Sequence, residues 1–288
     1  MILFKKRLRR TVQILHSLVM KQILLILVCI ASSISLSYAE ESKNLPVADF
    51  SDMRKMKNSE VVDVVTPQTL LLKNGSIAYL SGIDIPGSFG EEISPLAVTA
   101  RDILKDLLSG QNVETYQTRD KNSGRVNRMG HNLMHLVRFE DKAWAQGTLL
   151  SLGLARVKTT IANREMSSQM LALEKIARNE RLGIWGDDRY GVIAPEDAET
   201  RIGEFVVVEG RIESVAIKKN RIYINFGKDW KTDFTVSIAP EHKRSFSTAG
   251  LNPMSWGGKD VRVRGSLRSY NGPYMEISHP ETIEFIQE

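Results

Sequence analysis

The sequence predicts two folded units in series, an α+β unit followed by an all-β one, and three observations carry that reading. A chain of 288 residues exceeds one typical domain. Its first half sets short apolar runs between turn residues and then apolar residues at helical spacing, whereas the part beyond Pro195 keeps only short alternating runs. Cys29 is the one cysteine and stands near the N-terminus, so no disulfide or thiolate site is available to the folded part and apolar cores must hold it.

Lys5, Lys6, Arg7, Arg9 and Arg10 precede an apolar run from Ile23 to Ile30, and Ser37-Tyr38-Ala39 supplies small exit residues. This predicts a secretory signal over residues 1–39, with Met20 as an alternative start, and therefore export to a periplasmic or extracellular space. The apolar run is short for a bilayer span, so no stable membrane span is expected after cleavage. Residues 40–59 are polar and aperiodic and read as a linker.

The first unit is expected over 60–188. Val61 to Val65 and Thr69 to Leu72 read as strands, and Asn74-Gly75 predicts a type I′ turn into Ile77 to Leu80. Ser94 caps a helix with Pro95 in its first turn and Leu96, Ala100, Ile103 and Leu107 on one face, ending at Gly110. Val113 to Tyr116 and Leu133 to Phe139 read as strands around the polar loop Arg119 to His131. Two more helices follow, one through Trp144, Leu149 and Leu152 to Gly153, the other through Met166, Met170, Leu173 and Ala177 to Gly183. Apolar residues at that spacing are core rather than a ligand groove.

Residues 189–202, with Pro195-Glu196-Asp197-Ala198-Glu199, read as a second linker, and 203–287 as a small β-barrel. Its strands are Phe205 to Val215, Arg221 to Phe226, Phe234 to Ile238, Val261 to Val263 and Tyr274 to Ile277, with a short helix over Pro240 to Ala249. Five strands with a helix before the fourth resemble an OB-fold, a partly open barrel used for oligonucleotides and other ligands.

Ser81-Gly82-Ile83-Asp84-Ile85-Pro86, the stretch Gln146 to Arg156 and Ile184-Trp185-Gly186 resemble the scaffold of the staphylococcal nuclease (thermonuclease) family, over roughly Val61 to Gly186. The resemblance implies a β-barrel with three helices, and in active members two carboxylates on Ca²⁺, a glutamate base and two arginines on the phosphate. In this sequence those positions fall on Gln68 and Asp84, Gly87, and Tyr79 and His131 respectively, so only Asp84 keeps the family's residue type. One amide and one carboxylate make a poor Ca²⁺ site, because that ion takes six to eight oxygens. Losing the base costs about 10² to 10⁴ in rate and each charge-stabilising donor about 10² to 10³. Glu91 and Glu92, with Arg125, Arg128 and His131, are the residues from which a rearranged acid and base could come; His131 and His135 lack further ligands for zinc.

Residues 1–39 hold six Lys or Arg and no acid, which leaves 33 basic against 34 acidic residues, so a global cationic surface for nucleic acid is excluded. Local patches remain: Arg119, Lys121, Arg125, Arg128 and Arg138 in the first unit, and Tyr223, Phe226 and Trp230 with Arg262 and Arg264 in the second. Alternating aromatics equally suit a barrel core, and outward arginines equally suit a solvated face. The expectation is an exported, catalytically degenerate protein that binds or scaffolds a protein or polymeric ligand, nucleic acid included, with no cofactor. The alternative is a divergent Ca²⁺-dependent nuclease acting on extracytoplasmic nucleic acid.

Overall fold

The computed structural model describes residues 48–90, 92–229 and 231–286. The expected signal over 1–39, Cys29, the first part of the linker, Glu91 and Trp230 lie outside them. From Ala48 onward the described residues belong to one compact unit.

Within the expected linker, β1 (Arg54–Lys55) pairs with the edge of the first sheet and Met53 is buried. Then come β2 (Ser59–Thr66), β3 (Thr69–Leu72), β4 (Ile77–Leu80) and the short β5 (Ile83–Asp84). The Asn74-Gly75 turn departs from the type I′ expectation. Only Gly75 has positive φ, Gly75 N–H bonds to Leu72 O, and Asn74 Oδ1 accepts from Ser76, so the chain makes a type I turn with a left-handed glycine after it.

Helix α1 (Pro95–Leu108) begins where expected: Ser94 Oγ accepts from Ala97 N–H and Pro95 opens the first turn. Its innermost stripe is Ala97, Ala100, Leu104 and Leu108, with Leu96, Ile103 and Leu107 half-buried beside it. The apolar arc is wide enough that sequence spacing placed its centre about one residue off. β6 (Asn112–Gln117), β7 (Asn132–Arg138), α2 (Ala145–Ser151), β8 (Arg156–Val157) and α3 (Ser167–Asn179) complete the unit. Met166, Met170, Leu173 and Ala177 are core, and Trp185 is buried in the 3₁₀ turn after α3.

The stretch 189–202 carries β9 (Val192–Ile193) and a 3₁₀ helix (Pro195–Arg201). It leads into β10 (Phe205–Arg211), β11 (Ser214–Lys218), β12 (Arg221–Asn225), β13 (Thr235–Ile238), α4 (Lys243–Thr248), β14 (Asp260–Ser269), β15 (Pro273–Ile277) and β16 (Ile283–Phe285).

Both units close rings of the same order. In the first, the circuit is β6-β2-β3-β4-β7 and back to β6. In the second, it is β11-β12-β13-β15-β14-β10, and β10 runs through Ile212-Glu213 into β11. Counting ring strands along the chain, with β10 and β11 taken as one bent strand, each has a helix before its fourth strand and pairs its third and fifth in parallel, β4 with β7 and β13 with β15. The OB-like order expected of the second unit is thus present in the first as well.

The rings are joined through buried charge. Glu174 on α3 is wholly buried and accepts from both Arg264 guanidinium nitrogens, each at 2.9 Å, and from Val157 N–H. Arg178 bonds Glu174 and Glu284, and Glu284 also takes Arg264. Beside them Ala177, Ile184, Trp185 and Val207 pack together, and Arg164 with Glu281 and Thr159 with His279 extend the seam. A charge cluster so desolvated survives only because each member is paired, and removal of one strands the others.

Candidate functional site

The end of β4, β5 and the loop that follows carry most of the positions expected to correspond to catalytic ones, Tyr79, Asp84 and Gly87. Asp84 pairs across the β5–β8 ladder with Arg156. Its Oδ2 accepts from Arg156 Nε at 2.9 Å and its Oδ1 from Lys158 Nζ at 2.9 Å, so both carboxylate oxygens are committed to cations. Phe205 of β10 lies over both cations, 5.1 Å from Arg156 Cζ and 4.8 Å from Lys158 Nζ; Arg156 is buried there, while Lys158 remains exposed. Sequence spacing did not single out Arg156, Lys158 or Phe205. Their roles depend on contacts between distant segments, 72 and 74 residues apart for Arg156 and Lys158 with Asp84, and the resemblance counts Arg156 as scaffold.

Gln68 is buried, and its Nε2 donates to Leu80 O at 3.1 Å and Ile83 O at 2.8 Å. The amide therefore pins the chain just before Asp84 and works as a donor where a metal needs oxygen. Tyr79 is half-buried, and burial together with the Asp84 charge raises its hydroxyl above the ordinary tyrosine range. It cannot supply the cation of the family's first arginine. Gly87 has φ +71, and a β-carbon there would sit 2.5 Å from the Ser94 side chain and 3.0 Å from Tyr190 Oη, so this spot has no room for a general-base carboxylate. His131 N–H donates to Asn127 Oδ1 within the loop, and its Nδ1 is buried without a partner among the described residues.

Gln68, Tyr79 and Asp84 are thus brought into one neighbourhood, and among the described residues no side-chain hydrogen bond ties His131 to them. The donor set does not fit Ca²⁺: the one carboxylate is held by two cations, and the amide turns its NH₂ to backbone carbonyls. Among the described residues no group of three His, Cys, Asp or Glu could hold a metal ion. Glu92 is exposed.

Arg125 of the basic loop, expected as a ligand group, spends its guanidinium on Thr118 O and Arg119 O, at 3.2 and 2.9 Å. Arg119 likewise caps Ser51 O and Arg138 pairs with Asp141, so within this patch Lys121 and Arg128 are the exposed cations not engaged in this way. His135 lies in an aromatic nest with Phe50 and Trp144, and its Nδ1 accepts from Trp144 Nε1–H at 3.2 Å. Burial lowers its pKa to about 3, so it is neutral.

In the second ring, Arg262 and Arg264 do not flank the aromatics as expected. Arg264 is buried in the seam with Glu174, and Arg262 pairs with Glu209 on β10. Phe226 packs inward on Phe234, with centroids 4.9 Å apart. Tyr223 does face outward, on β12, whose residues alternate between buried and half-buried. It shares a groove with Tyr270 and Tyr274, neither of which alternation alone connects to it.

A ring with a helix before its fourth strand, Asp84 on the β5 strap and the Ile184-Trp185 closure define a class already named by its residues. Residues 78–187 match the family model for staphylococcal nuclease homologues, and they form a domain of that family. No curated protein matches the chain.

Proposed function

We propose that this chain is an exported protein whose staphylococcal-nuclease-like domain no longer hydrolyses phosphodiesters, and that it acts as a binding or scaffold module. The observation that carries the reading is the state of Asp84, the one catalytic carboxylate kept, which is neutralised by Arg156 and Lys158 beneath Phe205. Phosphoryl transfer is accelerated by placed cations and metal ions aimed at the phosphate. At Asp84 the cations are aimed at the protein's own carboxylate instead, and the base position is closed by Ser94. The seam supports a scaffold, since it locks two rings together at buried charges.

The test is cleavage of single- and double-stranded DNA and of RNA with Ca²⁺, Mg²⁺ or Mn²⁺. The expected result is no cleavage above a buffer control. Divalent-dependent cleavage that Asp84→Asn abolishes would establish an active nuclease and end this reading. Export is tested separately, by locating the protein in fractionated cells and sequencing its N-terminus; an N-terminus before residue 39 in a cytoplasmic fraction would refute it.

A further inference from the structure

The second ring carries a groove of about 380 Å³ on its outer face, within the range of small-ligand sites. Tyr223, Asn225, Lys218, Lys219, Tyr270 and Tyr274 line it, and among the described residues no carboxylate does. The rings are arranged for use. Tyr270 and Tyr274 meet edge to face with centroids 5.4 Å apart, and Tyr274 is held by Ser237 Oγ and by Arg221 Nη1 at 3.3 Å. Tyr270 is 59% exposed, so its face is open to a partner.

The borders of the groove are two hairpin turns. Lys219 and Asn220, between β11 and β12, have φ 49 and 63; Asn271 and Gly272, between β14 and β15, have φ 51 and 86. Asparagine and glycine are at home in the left-handed region, but a lysine there is strained relative to glycine. Lys219, in this strained conformation, lines the groove. Flat rings, cations and no acid together call for a ligand that is aromatic and anionic.

We infer that the groove between the β11–β12 and β14–β15 turns binds single-stranded nucleic acid, with bases stacked on Tyr270, Tyr274 and Tyr223 and phosphates at the lysine rim. Stacking on exposed aromatics accepts any base, and the lysines add a salt-dependent term. An anionic polysaccharide shares the charge but needs a dense set of hydrogen-bonding side chains for its hydroxyls, and this groove offers few beyond Asn225, Thr235 and Asn271. The inference rests on the binding reading above and names its ligand. It locates that ligand on the second ring, away from Asp84.

The experiment is fluorescence anisotropy of a short labelled oligothymidylate with the purified full chain in EDTA, so that divalent-dependent cleavage plays no part. Tyr270→Ala removes an exposed ring and should weaken binding roughly 5- to 100-fold. Lys219→Gly relieves a left-handed lysine, so loss of folding cannot explain its effect. It should lower the slope of log affinity against log salt by about 0.7, the share of one single-strand phosphate. Absence of saturable binding at about 0.1 mM protein would overturn the inference, as would binding that neither substitution alters. Tyr270-dependent binding of heparin without binding of the oligonucleotide would also overturn it, and would assign the groove to a glycan. A failure here leaves the cleavage test intact, and cleavage there leaves this groove to be judged by its own substitutions.

Discussion

Acidification from about pH 7 to pH 5 isolates two histidines. His135 is buried against Trp144, and His279 is buried in the seam with its ring nitrogens on Thr159 and Ser278. Burial lowers their pKa values from 6.5 to about 3 and about 4. A depressed folded pKa means the unfolded chain binds the extra protons. The stability these groups contribute is therefore complete above pH 6.5 and is lost as pH falls toward their folded values. At about pH 5.5 the unfolded chain holds close to two more protons, a slope of about 2.5 kcal/mol per pH unit, and the loss from pH 7 to pH 5 comes to about 4 kcal/mol. That is a large share of the ~5–15 kcal/mol typical of a folded domain. Glu114 and Asp141, lowered to about 2 by Lys55 and Arg138 respectively, are ionised in both states over this window and add their losses only below it. Urea denaturation followed by tryptophan fluorescence at fixed ionic strength measures the slope. His135→Gln keeps an acceptor for Trp144 Nε1–H and should halve it. A wild-type loss under about 1 kcal/mol across the window, or an unchanged slope in His135→Gln, would refute the reasoning.

Further outcomes follow from the packing. Glu174→Ala strands Arg264 and Arg178 in the seam and should cost about 3–5 kcal/mol by chemical denaturation; a cost within 1 kcal/mol would mean that the buried pairing is dispensable. Gly87→Ala meets both a left-handed φ and the Ser94 side chain 2.5 Å away, and should cost about 2–4 kcal/mol, whereas Gly75→Ala, with no atom within 4 Å of its added carbon, should cost only the backbone share of about 1 kcal/mol; equal losses would contradict the steric account. Asp84→Ala leaves Arg156 buried beside Phe205 without its carboxylate and should lower stability by about 3 kcal/mol, so a variant as stable as wild type would show that the pair does not hold β5 to β8.

Local chemistry made much of the fold legible. The Ser94-Pro95 start of α1, the methionine and leucine stripe of α3 and the burial of Trp185 all depend on residues within one or two turns of one another, and each is where the sequence places it. The Asn74-Gly75 hairpin was legible as a turn but not as a type, because two turns of different twist accept the same pair. The candidate site was legible only as substitutions. That Gln68 bonds Ile83 O, or that Arg156 and Lys158 occupy Asp84, depends on pairings between distant strands that carry no spacing signal. Arg264 misled for the same reason. On an alternating strand an arginine reads as outward, and only the arrival of α3 with Glu174 makes that face an interior.

That same carboxylate sets an order of assembly. Glu174 belongs to the first ring, and its bidentate partner Arg264 follows 90 residues later, close to the end of the chain. A chain that emerges from its N-terminus, at a ribosome or through a membrane, completes the first ring's strands and helices while Glu174 has only Arg178 and the Val157 amide to hold it. The first ring reaches its final stability only when β14 docks, so the two rings mature together although their hydrogen-bond circuits are separate. A chain cut short before Arg264 is marked by an incompletely neutralised acid on the surface that should have been an interface, which is where quality control would find it.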